Sequence, residues 1–168
     1  MAELLKHRLA KTAIERIASV LSCIHPQFAA SDFIQQSLDG LDALELKERV
    51  QHIITVLAQH FSPDFAETAQ VLQQVPAHWQ TNTEQGDYGF AAWPLIDYVA
   101  VYGLKHPEIA LQTLKILTPL FTAEFAIRPF LHLHFDVTYS YLQAWAKDEN
   151  PHVRRLASEG CRPRLPWG

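Results

Sequence analysis

Residues 103–122, GLKHPEIALQTLKILTPLFT, decide how the chain is built. Gly103 ends one helical pattern, and Pro107 suits the first position of the next. Thr118-Pro119 then stops that helix before Thr122 offers an N-cap for another. Helices separated by so few residues must lie antiparallel as αα-hairpins, and several hairpins in succession imply a stacked helical array.

Working outward toward the C-terminus, the spacing predicts helices over 123–134, 137–147 and 151–159; toward the N-terminus it predicts one over 90–103. Leu5, Leu9, Ala13, Ile17, Val20 and Ile24 recur at steps of three and four, which predicts a helix over 3–23 that stops at His25-Pro26. A shorter helix follows Ser31. Asp42 is the expected cap of a long helix whose apolar side carries Leu46, Val50, Ile53, Ile54, Leu57 and Phe61, ended by Ser62-Pro63. A return helix over 64–74 and a long loop over 75–87 complete the N-terminal half.

No strand signal competes with these helices. The period is irregular, so the expected fold is all-α: a right-handed α-α superhelix of degenerate HEAT-like repeats, in one domain over 1–168. Pairing the helices in order leaves the one over 151–159 without a following partner. Val153, Leu156 and Ala157 would then be covered on one side only. The expectation is the first part of a longer array, with self-association through that last helix as one outcome.

Composition narrows the class further. Hydrophobic residues make up 48% of the chain, with only six glycines, which excludes disorder. The net charge of −4 is unevenly spread: residues 1–120 carry eight Lys/Arg against thirteen Asp/Glu, while residues 121–168 carry six against five. A polyanion would dock where the local field is positive, which is the C-terminal end. Cys23 and Cys161 are too few for a disulfide framework or a zinc site. The N-terminus lacks an apolar leader, and the most apolar stretch, 89–104, is broken by Pro94 and Asp97. A soluble cytoplasmic protein without metal, cofactor or membrane partner is expected.

The end of the chain, Asn150 to Gly168, reads NPHVRRLASEGCRPRLPWG. Asn150 is a good N-cap, Pro151 a good first residue, and Gly160 a candidate for the left-handed position after the helix. Glu159 therefore falls at the carbonyl end, where the helix dipole disfavours a carboxylate by ~0.3–1 kcal/mol. Around it stand His152, Arg154, Arg155, Arg162 and Arg164.

This segment, together with TAEFAIRPF at residues 122–130, resembles the DNA alkylation repair family of HEAT-like DNA glycosylases, and its AlkC-type branch most closely. LDGLDALELKER at 38–49 and Trp93-Pro94 fit the same pattern. The resemblance implies excision of N-alkylated purines, such as 3-methyladenine, from duplex DNA, with Glu124 and Glu159 as the catalytic carboxylates. It also implies further repeats beyond the LPW motif, and Cys161 stands where the family has threonine.

The chemistry suits the residues. Alkylation makes the purine a cationic leaving group, so a carboxylate is needed chiefly to stabilise the oxocarbenium-like sugar and another to position water. Arg128, His152, Arg154, Arg155, Arg162, Arg164 and Trp167 are the candidate DNA contacts, because guanidinium pairs bidentately with phosphate and an indole face attracts a cationic base. Ordinary roles stand beside these. Glu124 would sit in the first turn of a helix capped by Thr122, and Glu159 lies four residues after Arg155, the spacing of a common helix pair. Trp93 and Trp145 fit a core. His132 and His134 point to different sides of a helix, which disfavours a metal site. A HEAT-like DNA-binding protein that is non-catalytic or truncated, and a protein-binding helical scaffold, are the alternative functions.

Overall fold

The computed structural model describes residues 5–79 and 89–163, and among these residues the secondary structure is helical throughout. The chain divides into two compact units, Met1–Leu95 and Ile96–Gly168.

The first unit holds α1 (Lys11–Ile24), α2 (Ala30–Leu38), α3 (Leu46–His60) and α4 (Phe65–His78), with α1 packed against both α2 and α4 and α3 against α2. Their apolar stripes meet in a core of Ile14, Ile17, Leu21, Phe33, Ile53, Leu57, Ala69 and Leu72, each completely buried. Asp64 caps α4 by accepting a hydrogen bond from the Ala66 amide at 2.9 Å. That helix continues through Pro76 to His78, four residues beyond the expected end, so the expected long loop is shorter at its start.

Two boundaries differ from expectation for an identifiable reason. The helix expected over 3–23 is a 3-10 turn, Leu5–Arg8, followed by α1. Arg49 of α3 is 1% exposed and donates to the carbonyls of Lys6 at 3.0 Å, Leu9 at 3.1 Å and Leu44 at 3.0 Å. Those first two carbonyls are the ones a continuous N-terminal helix would have used for its own ladder. Asp42, the expected cap of α3, is replaced by Glu45, which forms a capping box with Glu48; the Glu45 amide donates to Glu48 Oε2 at 2.8 Å. Lys6 Nζ, 2.7 Å from Glu45 Oε1, holds that carboxyl below its ordinary range by hydrogen bonding and then by charge.

In the second unit, α6 (Pro107–Leu117), α7 (Arg128–Leu133), α8 (Phe135–Trp145) and α9 (Pro151–Gly160) follow α5 (Trp93–Tyr102), which runs across the division. α6 ends where the sequence places its ends. α8 is the central element, in contact with α6, α7 and α9. His134 is the single residue between α7 and α8, and its Nε2–H donates to the Leu104 carbonyl at 2.7 Å.

The apolar stripe of the last helix is not half-bare as expected. Val153, Leu156 and Ala157 are 2%, 1% and 6% exposed, because α9 folds back on α8. Trp145 lies in this core at 4% exposure. Trp79 is buried too, with the Arg16 guanidinium 4.6 Å above its ring.

Replacing Arg49 with methionine keeps much of the volume but leaves the carbonyls of Leu9 and Leu44 without its donors, and that of Lys6 with only the Leu9 amide at 3.2 Å. The expected loss is about 3 kcal/mol or more in urea denaturation. Lys115 Nζ lies 2.7 Å from Asp148 Oδ2, and the Lys115 hydrogen bond, then the Asn150 amide, lowers the Asp148 pKa. A lowered pKa stabilises the fold above the unfolded-state value, and that contribution is lost as pH falls through the folded-state value. In Lys115→Met the carboxyl should titrate at higher pH in a carbon-detected NMR titration, and stability should fall less steeply toward acid.

Candidate active site

α9 is positioned by its first turn. Asn150 Oδ1 accepts from the His152 amide at 2.9 Å, and Asp148 Oδ1 accepts from the Asn150 amide at 2.9 Å. Arg154 Nη1 donates to the carbonyls of Asp148 and Glu149, both at 2.8 Å. With this end fixed and Val153, Leu156, Ala157 and Gly160 turned into the core, His152, Arg155 and Glu159 fall on one line of the helix at i, i+3 and i+7.

Glu124 meets that line at its middle. The segment before α7 is a run of turns, and α7 starts at Arg128, five residues later than expected. Pro129 has no amide to give to Phe125, so an α-helix begun at Ala123 would lack a rung. Instead Ala123 donates to Thr118 Oγ1 at 3.2 Å, Glu124 to Thr122 Oγ1 at 3.3 Å, and Ile127 to the Ala123 carbonyl at 3.0 Å. Glu124 thus sits in a turn outside the helix. It is only 7% exposed, with Arg155 Nε 3.0 Å from its Oε1. That oxygen accepts no hydrogen bond, so the guanidinium compensates its charge at close range without the alignment a hydrogen bond requires.

Glu159 has a different partner from the one its spacing suggests. Arg162 Nη2 lies 2.9 Å away, while Arg155 is turned to Glu124. α9 includes Gly160 and ends on Cys161 at φ −90° and ψ 0°, so Gly160 is not left-handed; Gly40 at φ +69° is the one described glycine that is. Gly160 matters for another reason. A Cβ there would lie 2.7 Å from Ile127 Cγ2, so the missing side chain is what lets α9 approach the turn that carries Glu124.

The candidate DNA contacts divide sharply. Arg128 donates to the carbonyls of Arg162 at 2.9 Å and Pro163 at 3.3 Å. Arg154 is bound to carbonyls, Arg155 is paired with Glu124 and Arg162 with Glu159. His152 is exposed and, with Arg155, Thr118 and Thr122, lines an open cleft of about 360 Å³. A second cleft of about 630 Å³ is bordered by Arg128, His132, Phe135, Tyr139 and Arg162, with the Phe135 and Tyr139 rings stacked 5.4 Å apart. Neither cleft is lined by Glu124 or Glu159. Arg164 and Trp167 lie outside the described residues.

Sequence reasoning missed Thr118, Asp148 and the packing role of Gly160. For Gly160 the signal was present, since glycine marks close approach as well as left-handed turns. Gly160→Ala should destabilise by about 1–3 kcal/mol in urea denaturation, because a β-branched isoleucine has little freedom to move aside. Adding Ile127→Ala removes the clash, so the double variant should lose less than the two single losses combined.

No protein-family model matches the chain. It is 37% identical over 145 residues to the uncharacterized protein YhaZ of Bacillus subtilis (strain 168), an alignment that spans 86% of this chain and 38% of YhaZ. It is 35% identical to the Pseudomonas fluorescens alkylpurine DNA glycosylase AlkC, solved bound to DNA containing an abasic site analog, with a TM-score of 0.87. That match covers 99% of this chain and 45% of the AlkC chain, so the chain spans less than half the length of either relative. The chain takes the helical-repeat fold of AlkC, and the AlkC-type resemblance carried by TAEFAIRPF and RRLASEG is borne out.

Proposed function

We propose that the chain acts on duplex DNA as an alkylpurine glycosylase, hydrolysing the N-glycosidic bond of purines of the 3-methyladenine type. The observation that carries this reading is that Glu124, from the turn before α7, meets through Arg155 the line of α9 that carries Glu159, each carboxylate beside an arginine, in a fold shared with AlkC. Glu124, buried and with an oxygen free of hydrogen bonds, suits stabilisation of a cationic sugar. Glu159, whose side chain is 22% exposed, can reach water and suits its positioning. The cationic purine leaves without an acid. Arg128, His152, Arg154, Arg155, Arg162, Arg164 and Trp167 are the proposed DNA-facing set, and a cytoplasmic location belongs to the same proposal.

A second reading is DNA binding without hydrolysis. It is favoured by the pairing of both carboxylates, since an arginine beside each cancels the charge that the reaction uses.

Release of free 3-methyladenine from methylated duplex DNA, with the chain in excess over lesions, separates the two. Release above the spontaneous rate is expected. Glu124→Gln and Glu159→Gln should each reduce it about a hundredfold or more while DNA binding is retained and the urea midpoint changes little. Salt-sensitive DNA binding with no release would favour the second reading. Full activity in either variant would remove that glutamate from the mechanism.

A further inference from the structure

The pair formed by Glu124 and Arg155 is unevenly buried. The carboxylate side chain is 9% exposed and the guanidinium side chain 63%. Their 3.0 Å approach leaves Glu124 Oε1 without a hydrogen bond. The glutamate is therefore fixed by its surroundings, whereas the arginine is held by charge alone. Arg128 and Arg154 differ, because each is tied to main-chain carbonyls by formed hydrogen bonds. Arg155 also borders the open cleft that holds His152, so its head already faces solvent where an anion can approach.

We propose that Arg155 is an exchangeable counter-ion: a DNA phosphate takes its guanidinium from Glu124, and the buried carboxylate carries uncompensated charge only in the complex. The proposal rests on the reading of the chain as a DNA-binding glycosylase. Phosphate offers the guanidinium two aligned acceptors, which Glu124 does not. Once Arg155 leaves, Glu124 stays in place, since the turn built on Thr118 and Thr122 does not depend on the pair. A carboxylate in low dielectric with a bare oxygen then attracts a developing cation far more strongly than one in water. In the free chain the same charge would be costly to leave unpaired, and Arg155 removes that cost.

The test is a double-mutant cycle on affinity for undamaged duplex, at fixed salt, with wild type, Glu124→Gln, Arg155→Gln and the double variant. Releasing Arg155 in advance should tighten binding, so Glu124→Gln is expected to bind about fivefold better than wild type. In the Arg155→Gln background the same change should give little gain. An equal gain in both backgrounds would show only that a negative charge had been removed near DNA, and would overturn the exchange. No salt-sensitive binding by the wild type would overturn the DNA-binding reading itself, a different failure.

A second measurement needs no change at Arg155 and so does not depend on how that variant folds. With nitrogen-15 arginine labelling, the Arg155 Nε–H signal should differ between free wild type and free Glu124→Gln. The two should converge on one position when undamaged duplex is added. Signals that stay apart in the complex would mean that Arg155 remains on Glu124, and the exchange would be wrong.

Discussion

The close approach of α9 to the turn at residues 123–127 is the constraint on which the candidate site depends. It exists because Gly160 presents no side chain toward Ile127. From that contact the helix runs back with Arg155 one turn before Glu159, bringing a guanidinium to the buried Glu124. At the other end of α9, the Asn150 cap and the Arg154 bonds to two carbonyls fix its direction. Packing at one end and hydrogen bonds at the other leave the charged line little freedom to shift.

The first unit shows the same principle with different chemistry. A helix that its own periodicity would have run unbroken from residue 3 is interrupted because the buried Arg49 needs acceptors. A guanidinium inside a core is tolerated only when its donors are satisfied, and the carbonyls of Lys6, Leu9 and Leu44 satisfy them. The stability of the α3 packing thus sets the conformation of a segment about forty residues away in sequence.

How far the sequence was legible follows from the range of each interaction. α6 begins at Pro107 and ends before Thr118-Pro119 as read, because both limits are local backbone chemistry. The N-cap at Asn150 was readable on the same ground. The break before α1, the capping of α3 by Glu45 and the coverage of α9 were not, since each depends on a partner distant in sequence or a competing local cap. The late start of α7 had a local cause, Pro129, that the apolar periodicity masked. Glu124 was singled out by a family resemblance, and Glu159 by its place at the carbonyl end of α9 as well. Composition and spacing alone favoured ordinary helix roles, and neither role survives in the form expected: Glu124 precedes its helix, and Glu159 pairs with Arg162. Which arginine meets which carboxylate is a tertiary fact.

The ion pairs of the second unit also shape how the molecule meets a charged polymer. Lys115 with Asp148, Arg155 with Glu124 and Arg162 with Glu159 are opposite charges within 3.0 Å of each other. Seen from afar, such doublets are dipoles, and a dipole's potential decays faster with distance than that of a lone charge. Salt shortens it further, to about 8–10 Å in physiological solution. These three doublets therefore add little to the pull on a distant polyanion, whereas Arg128 and Arg154, bonded to neutral carbonyls, keep the far field of a lone charge.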